Sequence, residues 1–419
     1  QLYNFLVGLE KYFVMSLITP VDEKSFVKIK KGKREGSKIF AQTKTPFNET
    51  CAYFAGFITI NMIITRKNKP KIKDLLFKNF LVCLTILFII SYYMRVDIEK
   101  ELIQRAKVLN KTIVFPEADF SDRIIIAVKN IIDINLAKVV LIGNKESLKE
   151  KLGAYYQKVK VVDQTNYENF SFLANKVYLV RKEKGLSLNE AEKLLLDPIY
   201  FANAYVLCGY ADGIVCGAEV ATAKTLRPAL QLIKSKKGLV SSYFLFVGKN
   251  SVTDNAFLMG DCGVVENPSA VQECLIAESM LNEFQMLGLK NPKIAFLSYS
   301  TLNSANSGST QKVKDATNLF KQNNQNVDAV GEVQFDASIN KDVAKVKMPN
   351  IQFLKPANIF VMPNIDAGNI CYKMVQYFGN LKAIGPITMG FNKPDNDLSR
   401  GCTPDEIILL TAITCLQCQ

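Results

Sequence analysis

The stretch KTIVFPEADFSDRIIIAVKNIIDINLAKVVLIGNKESLKEKL, from Lys111 to Leu152, sets the fold class. Its apolar residues fall first in a short run, TIVF, that stops at Pro116, and then at helical spacing through SDRIIIAVKNIIDINL. A second run, KVVLIG, and a charged amphipathic segment, KESLKEKL, follow. The order is strand, helix, strand, helix. Upstream, DIEKELIQRAKVLN reads as another amphipathic helix, and downstream VKVV reads as a third strand. This alternation predicts a parallel sheet covered by helices, an α/β protein. The pattern continues through YADGIVCGAE, NAFLMGDCGV, KIAFLSYS and ANIFVMPN, each an apolar run ending at small or polar residues. In open α/β sheets ligands gather at the carboxyl ends of strands, so these endings are candidate cleft walls as well as ordinary turns.

The chain has 419 residues, room for two domains of ordinary size, and contains no histidine. That excludes a Ser-His-Asp triad, a Cys-His pair and an HExxH zinc site, leaving carboxylate, lysine or cysteine as any general base. Neither GxGxxG nor GxxxxGK[ST] follows a strand, so the phosphate-binding signatures of dinucleotide and P-loop proteins are missing. Ten cysteines at irregular spacing, with no signal peptide, fit a reducing, cytoplasmic setting. Cys415 and Cys418 have CxxC spacing but no second pair nearby, so no metal site is expected.

The net charge is +13, but residues 1–93 hold 15 Lys and Arg against 6 Asp and Glu, which is +9 of it. The rest of the chain is only mildly basic, and nucleic acid is not an expected partner. Residues 1–93 form an atypical basic and apolar extension, with runs at Cys51 and Phe80 that fall short of the roughly 20 residues a spanning helix needs. Their Lys, Ile, Asn, Phe and Tyr bias favours reading them as translated flanking sequence, with Met94 as the start. A membrane tether is the second reading.

The carboxyl-terminal stretch AIGPITMGFNKPDNDLSRGCTPDEI predicts a loop entering a final helix. Thr403 as N-cap, Pro404 at the first helical position and Glu406 three residues after the cap form a capping box. The positive end of that helix favours anions. Beside it, Gly401 lets the backbone approach, Arg400 offers a planar fork for an oxyanion, and Ser399 offers a hydroxyl donor. These groups suit acyl or phosphoryl chemistry without choosing between them.

From Met94 onward the chain resembles the phosphotransacetylases. The resemblance is carried by VFPEADFSDRI, the RKEKG block at Arg181, DPIYFANAYVLCGYADGIVCGAEVATAKTLRPALQLIK, DCGVVENPSA, LSYST, GEVQFDA, PNIDAGNICYKMVQ and AIGPITMGFNKPDNDLSRGC. It implies two α/β domains with mainly parallel sheets separated by a cleft, an architecture like that of isocitrate and isopropylmalate dehydrogenases. Residues 94–237 with 389–419 would form one domain and 238–388 the other. It further implies reversible acetyl transfer between coenzyme A and phosphate, with no tightly bound cofactor, no metal and no acyl-enzyme, usually in a homodimer. By the same resemblance Ser399 and Arg400 polarise the carbonyl and stabilise the tetrahedral transition state, and Arg181 and Arg227 hold phosphate groups. Asn392 and Lys393 are expected to line the same loop. Glu406 stands where the family places an aspartate base, with Asp405 just before it. Tyr377 stands where an arginine is common, which predicts weaker substrate binding. Alternatives are a propionyl or butyryl paralogue and a non-catalytic acyl-CoA-binding regulator.

Overall fold

A computed structural model of the chain describes residues 98–248, 253, 256–379 and 381–419. Both readings of residues 1–93 lie outside the described residues. Among the described residues no helix is long and apolar enough to cross a membrane.

The elements follow the predicted alternation. Helix α1 spans Ile98–Leu109, β1 Thr112–Phe115, α2 Asp122–Asp133, β2 Lys138–Ile142, α3 Lys145–Leu152 and β3 Lys160–Val162. After α4 (Phe170–Arg181), α5 (Leu188–Leu194) and α6 (Pro198–Leu207) come β4 (Gly213–Cys216) and α7 (Thr222–Leu232). A first sheet has the order β11-β4-β1-β2-β3, where β11 is Asp395–Asp397, and every pairing in it is parallel.

The second sheet is built from β5 (Ser241–Val247), β6 (Ala256–Gly260), β7 (Lys293–Leu297), β8 (Asp328–Val333), β9 (Ile359–Val361) and β10 (Lys382–Met389). Its order is β10-β5-β6-β9-β7-β8, parallel except where β5 meets β10 and β6. Helices α8 (Ala270–Met286), α9 (Gly308–Asn323), α10 (Phe335–Ile339), α11 (Lys341–Lys347) and α12 (Ile365–Gly379) lie between its strands in sequence. The final helix, α13 (Pro404–Gln417), is buried from Ile407 to Leu416 and packs on α1, α2, β4 and β10. An amphipathic helix would expose one face. One buried on every side, as α13 is from Ile407 to Leu416, belongs inside.

Two segments carry the chain between the sheets, and they are laced together. Lys236 N donates to Gly390 O at 2.7 Å, Asn392 N donates to Lys234 O at 3.0 Å, and the Asn392 side chain donates to Ile233 O at 2.9 Å. Gly390 has a φ of +93°, and a Cβ there would collide with the Leu239 carbonyl, so only glycine fits this crossing.

One buried charge in α8 is poorly provided for. Glu273 is fully buried, neither carboxylate oxygen has a hydrogen-bond partner, and the nearest cation, Lys312 Nζ, is 3.8 Å away. Burial pushes its pKa from an ordinary 4.5 up to about 8, with Lys312 opposing. Between those values the folded state keeps a proton that the unfolded chain releases, so this group lowers stability progressively as pH rises from 4.5 to 8. Glu273→Leu is therefore expected to stabilise the fold, because it removes that pH-dependent cost while Lys312 Nζ keeps its bonds to Asn267 Oδ1 and Pro363 O. The gain should be larger at the alkaline end of that window than at the acid end. Urea unfolding at both ends checks this, and an equal gain at the two would reject the account.

Candidate active site

Strand β1 ends at Phe115, and two residues on Glu117 is fully buried. Its carboxylate accepts from four consecutive backbone amides after β4: Gly217 at 2.7 Å, Ala218 at 2.8 Å, Glu219 at 3.2 Å and Val220 at 3.0 Å. Burial raises its pKa, and those four donors oppose the rise. Gly217, at φ +97°, leaves room for the Asp397 carboxylate, which a Cβ would strike. The loop after β4 is thus moulded around one carboxylate from β1 and closed against another from β11.

Arg123, in the first turn of α2, ties that loop to the carboxyl-terminal one. One guanidinium nitrogen donates to Arg400 O at 2.8 Å and Cys402 O at 3.0 Å, the other to Ala218 O at 2.5 Å and to Glu219 Oε1 at 2.8 Å. Ser121 Oγ donates to the same Glu219 oxygen at 2.8 Å. Hydrogen bonds from Arg123 and then Ser121 hold the Glu219 carboxyl below the usual range.

Beneath the loop, Asp397 closes β11. Its Oδ1 accepts from Thr225 Oγ1 of α7 at 2.7 Å, while Oδ2 is buried without a partner. Burial pushes its pKa up to about 6, opposed by hydrogen bonds from Thr222 and Thr225; the Glu117 charge adds to the rise, and Arg400 opposes it. Asp395, two residues earlier, is pushed up to about 7, again chiefly by burial.

Ser399 and Glu406 line one cleft of about 70 Å³ together with Phe244 of β5, Tyr372 and Gln376 of α12 and Leu410 of α13. The walls therefore come from both sheets. Gly401 also lines it; its backbone is not left-handed, and a Cβ there would meet no other atom within 4 Å. The capping box at Thr403 is present: Thr403 N donates to Glu406 Oε2 at 2.8 Å, and Glu406 N to Thr403 Oγ1 at 3.3 Å. The Arg400 side chain is exposed and makes no hydrogen bond or ion pair among the described residues.

The remaining expected residues divide. Arg181, at the end of α4, and Arg227, on the exposed face of α7, both flank Tyr200, where their charges oppose the burial that raises its phenol. Neither is ion-paired among the described residues, which leaves both free to meet an anion. Asn392 and Lys393 do not share the Ser399 loop. They precede β11, whereas Ser399 follows it, and the Asn392 side chain is spent on the inter-sheet crossing. Tyr377 also stays out: it is 81% exposed, and the cleft takes Tyr372 and Gln376, one turn apart on another face of α12. A larger cavity, about 330 Å³, lies around Lys293 and Asp328 at the amino ends of β7 and β8 and contains none of these residues.

Glu117 and Arg123, which hold the loops of the site together, are the residues that sequence reasoning passed over. Their signal was an acid and an arginine flanking the strand-to-helix turn in VFPEADFSDRI, at the carboxyl end of a parallel strand.

The chain is similar to several known proteins. The chain is 42% identical over 325 residues to the phosphate acetyltransferase of Acetivibrio thermocellus, covering 76% of this chain and 98% of that one. It is 37% identical over 330 residues to that of Clostridium acetobutylicum, covering 77% and 99%. A phosphotransacetylase structure from Streptococcus pyogenes superposes with a TM-score of 0.72 at 34% identity, over 77% of this chain and 98% of that one. Since a family model described as phosphate acetyl/butaryl transferase also matches residues 97–415, the chain belongs to that family.

Proposed function

We propose that the protein is a phosphate acetyltransferase, moving an acetyl group reversibly between coenzyme A and inorganic phosphate. The observation that carries the reading is the cleft, where Ser399 and Glu406 meet beside an unpaired Arg400 on a loop clamped by Arg123. In the direction from acetyl phosphate, the coenzyme A thiol loses its proton to a base and the thiolate attacks the carbonyl carbon. A C–S bond forms and the C–O bond to phosphate breaks. Ser399 and Arg400 stabilise charge on the carbonyl oxygen, and Arg181 and Arg227 hold phosphate groups. The two sheets serve as the two domains, 94–237 with 389–419 and 238–388, with the cleft between them. Asn392, Lys393 and Tyr377, also expected to bind substrate, lie outside the cleft at Ser399. Purified protein should consume free coenzyme A thiol when supplied with acetyl phosphate. Tight coenzyme A binding without turnover would instead favour a regulatory protein.

Glu406 is assigned as the base that takes the thiol proton. A thiol with an ordinary pKa of about 8.5 is mostly protonated at neutral pH, so a base has work to do. Only Oε2 of Glu406 is engaged in the capping box, and the other oxygen is available on a residue that lines the cleft. Glu406→Gln keeps the shape and a carbonyl acceptor for Thr403 N. It should lower kcat by about 100-fold or more, the usual size of a general-base contribution, with little change in unfolding temperature. Unchanged kcat in the Gln variant would move the base elsewhere.

We also propose a homodimer in the cytoplasm. Ile370, Met374, Tyr377 and Phe378 form an exposed apolar row along α12, with Phe378 86% exposed. A row of this kind marks a contact surface, and it gives Tyr377 a part in subunit contact. Sedimentation at micromolar concentration tests it, and a monomer there rejects it.

A further inference from the structure

We infer that the cavity at the amino ends of β7 and β8 is a second ligand site, one that takes a small organic monocarboxylate with an apolar body. The cavity shares no residue with the cleft at Ser399 and is larger, about 330 Å³ against about 70 Å³. A buried lysine forms part of its wall. Lys293 opens β7, and its side chain is only 5% exposed. Its ammonium sits 4.9 Å from the centre of the Phe353 ring and 3.5 Å from Asp328 Oδ2. All three residues line the cavity, so the ammonium stands at the cavity wall. It makes no hydrogen bond among the described residues: the carboxylate is at ion-pair distance only, and the ring offers its face. An ammonium has three N–H donors, and leaving them unmet in a buried place is costly. An anionic oxygen in the cavity meets them.

The rest of the lining fixes the chemical class. Lys321, in the last turn of α9, is exposed and has no ion pair among the described residues. The two lysines set against Asp328 leave one positive charge, which a single carboxylate balances. A phosphate monoester carries about −1.5 to −2 near neutral pH and would leave negative charge in surplus beside Asp328. Phosphate sites also draw on arginine forks or on the amino end of a helix. No arginine lines this cavity, and the helix that borders it, α10, has only five residues. Elsewhere the wall is apolar, with Val330 and Met348 both buried, so the body attached to the carboxylate is a hydrocarbon one.

The test is calorimetric titration of the full chain with isovalerate, with its neutral isostere isovaleramide and with inorganic phosphate. Isovalerate should bind with a Kd on the order of 1 mM, a reasonable strength for so small a ligand. Lys293→Met should weaken it by about 10-fold or more, the size of a lost hydrogen bond to a charged group. Lys321→Met should weaken it by about 3-fold, as befits an exposed charge. Circular dichroism checks the fold of both, and Lys321 is exposed, so its variant carries the test even where Lys293→Met does not fold. Arg400→Ala should bind isovalerate as wild type does. The inference is overturned if binding is not detected at about 20 mM isovalerate, or if isovaleramide binds equally well. Phosphate that displaces isovalerate overturns the choice of a carboxylate. Folded lysine variants that bind like wild type also overturn it, and loss of binding in Arg400→Ala alone assigns the isovalerate to the cleft at Ser399.

Discussion

Arg400→Ala is expected to lower kcat for coenzyme A acetylation by acetyl phosphate by about 100–1,000-fold, the loss seen when one oxyanion donor is removed from a preorganised site. Arg400 follows Ser399 on the cleft loop, and its guanidinium has no hydrogen bond or ion pair among the described residues. Its charge is balanced only at a distance by Asp397, buried beneath the loop. A cation held this way is ready to meet charge that develops on a substrate oxygen, and it does not have to break a bond first. Arg400→Lys should recover part of the loss, because the charge returns but the planar fork does not. The backbone of the loop is anchored through the Arg400 carbonyl, so neither change should disturb the fold. Thiol consumption at saturating substrate reads the effect. Turnover close to wild type in Arg400→Ala would remove this arginine from the chemistry.

The fold was legible wherever periodicity decides it. The apolar runs at TIVF, KVVLIG and VKVV became β1, β2 and β3, and KESLKEKL became α3 over the same eight residues. The helix start at Thr403 was also legible, because a capping box is a local signal made by residues within one turn. What periodicity does not carry is the end of a strand at which a residue lies. Asn392 and Lys393 are close to Ser399 in sequence, yet β11 runs between them and puts them at opposite ends of the sheet. Tyr377 lies off the cleft for a related reason: on a helix one residue is a turn of about 100°, so Gln376 faces the cleft and Tyr377 does not. Phe244 and Tyr372 were out of reach, since their stacking joins a strand and a helix more than a hundred residues apart.

The least legible contribution is that of Arg123, and its removal is the second large effect expected. Its guanidinium bonds the Arg400 and Cys402 carbonyls on one side and Ala218 O and Glu219 on the other, joining segments far apart in the chain. Arg123→Met keeps the aliphatic stem and deletes all of these bonds. The Ser399–Arg400 loop then loses the anchor that sets its height over the cleft. A displacement of about 1 Å in a catalytic group can cost about 100-fold, and that is the expected fall in kcat. Stability should fall less markedly, by about 1–3 kcal/mol, because the Arg123 side chain is 28% exposed and water can replace part of what is lost. Arg123→Lys restores the ion pair with Glu219 but not the two-sided fork, so it should recover stability more fully than rate. The division between kcat and KM separates this role from direct substrate contact. A residue that only positions Arg400 lowers kcat with KM for coenzyme A nearly unchanged, whereas a substrate ligand raises KM first. A variant that raises KM and leaves kcat alone would place Arg123 against the substrate rather than behind the loop.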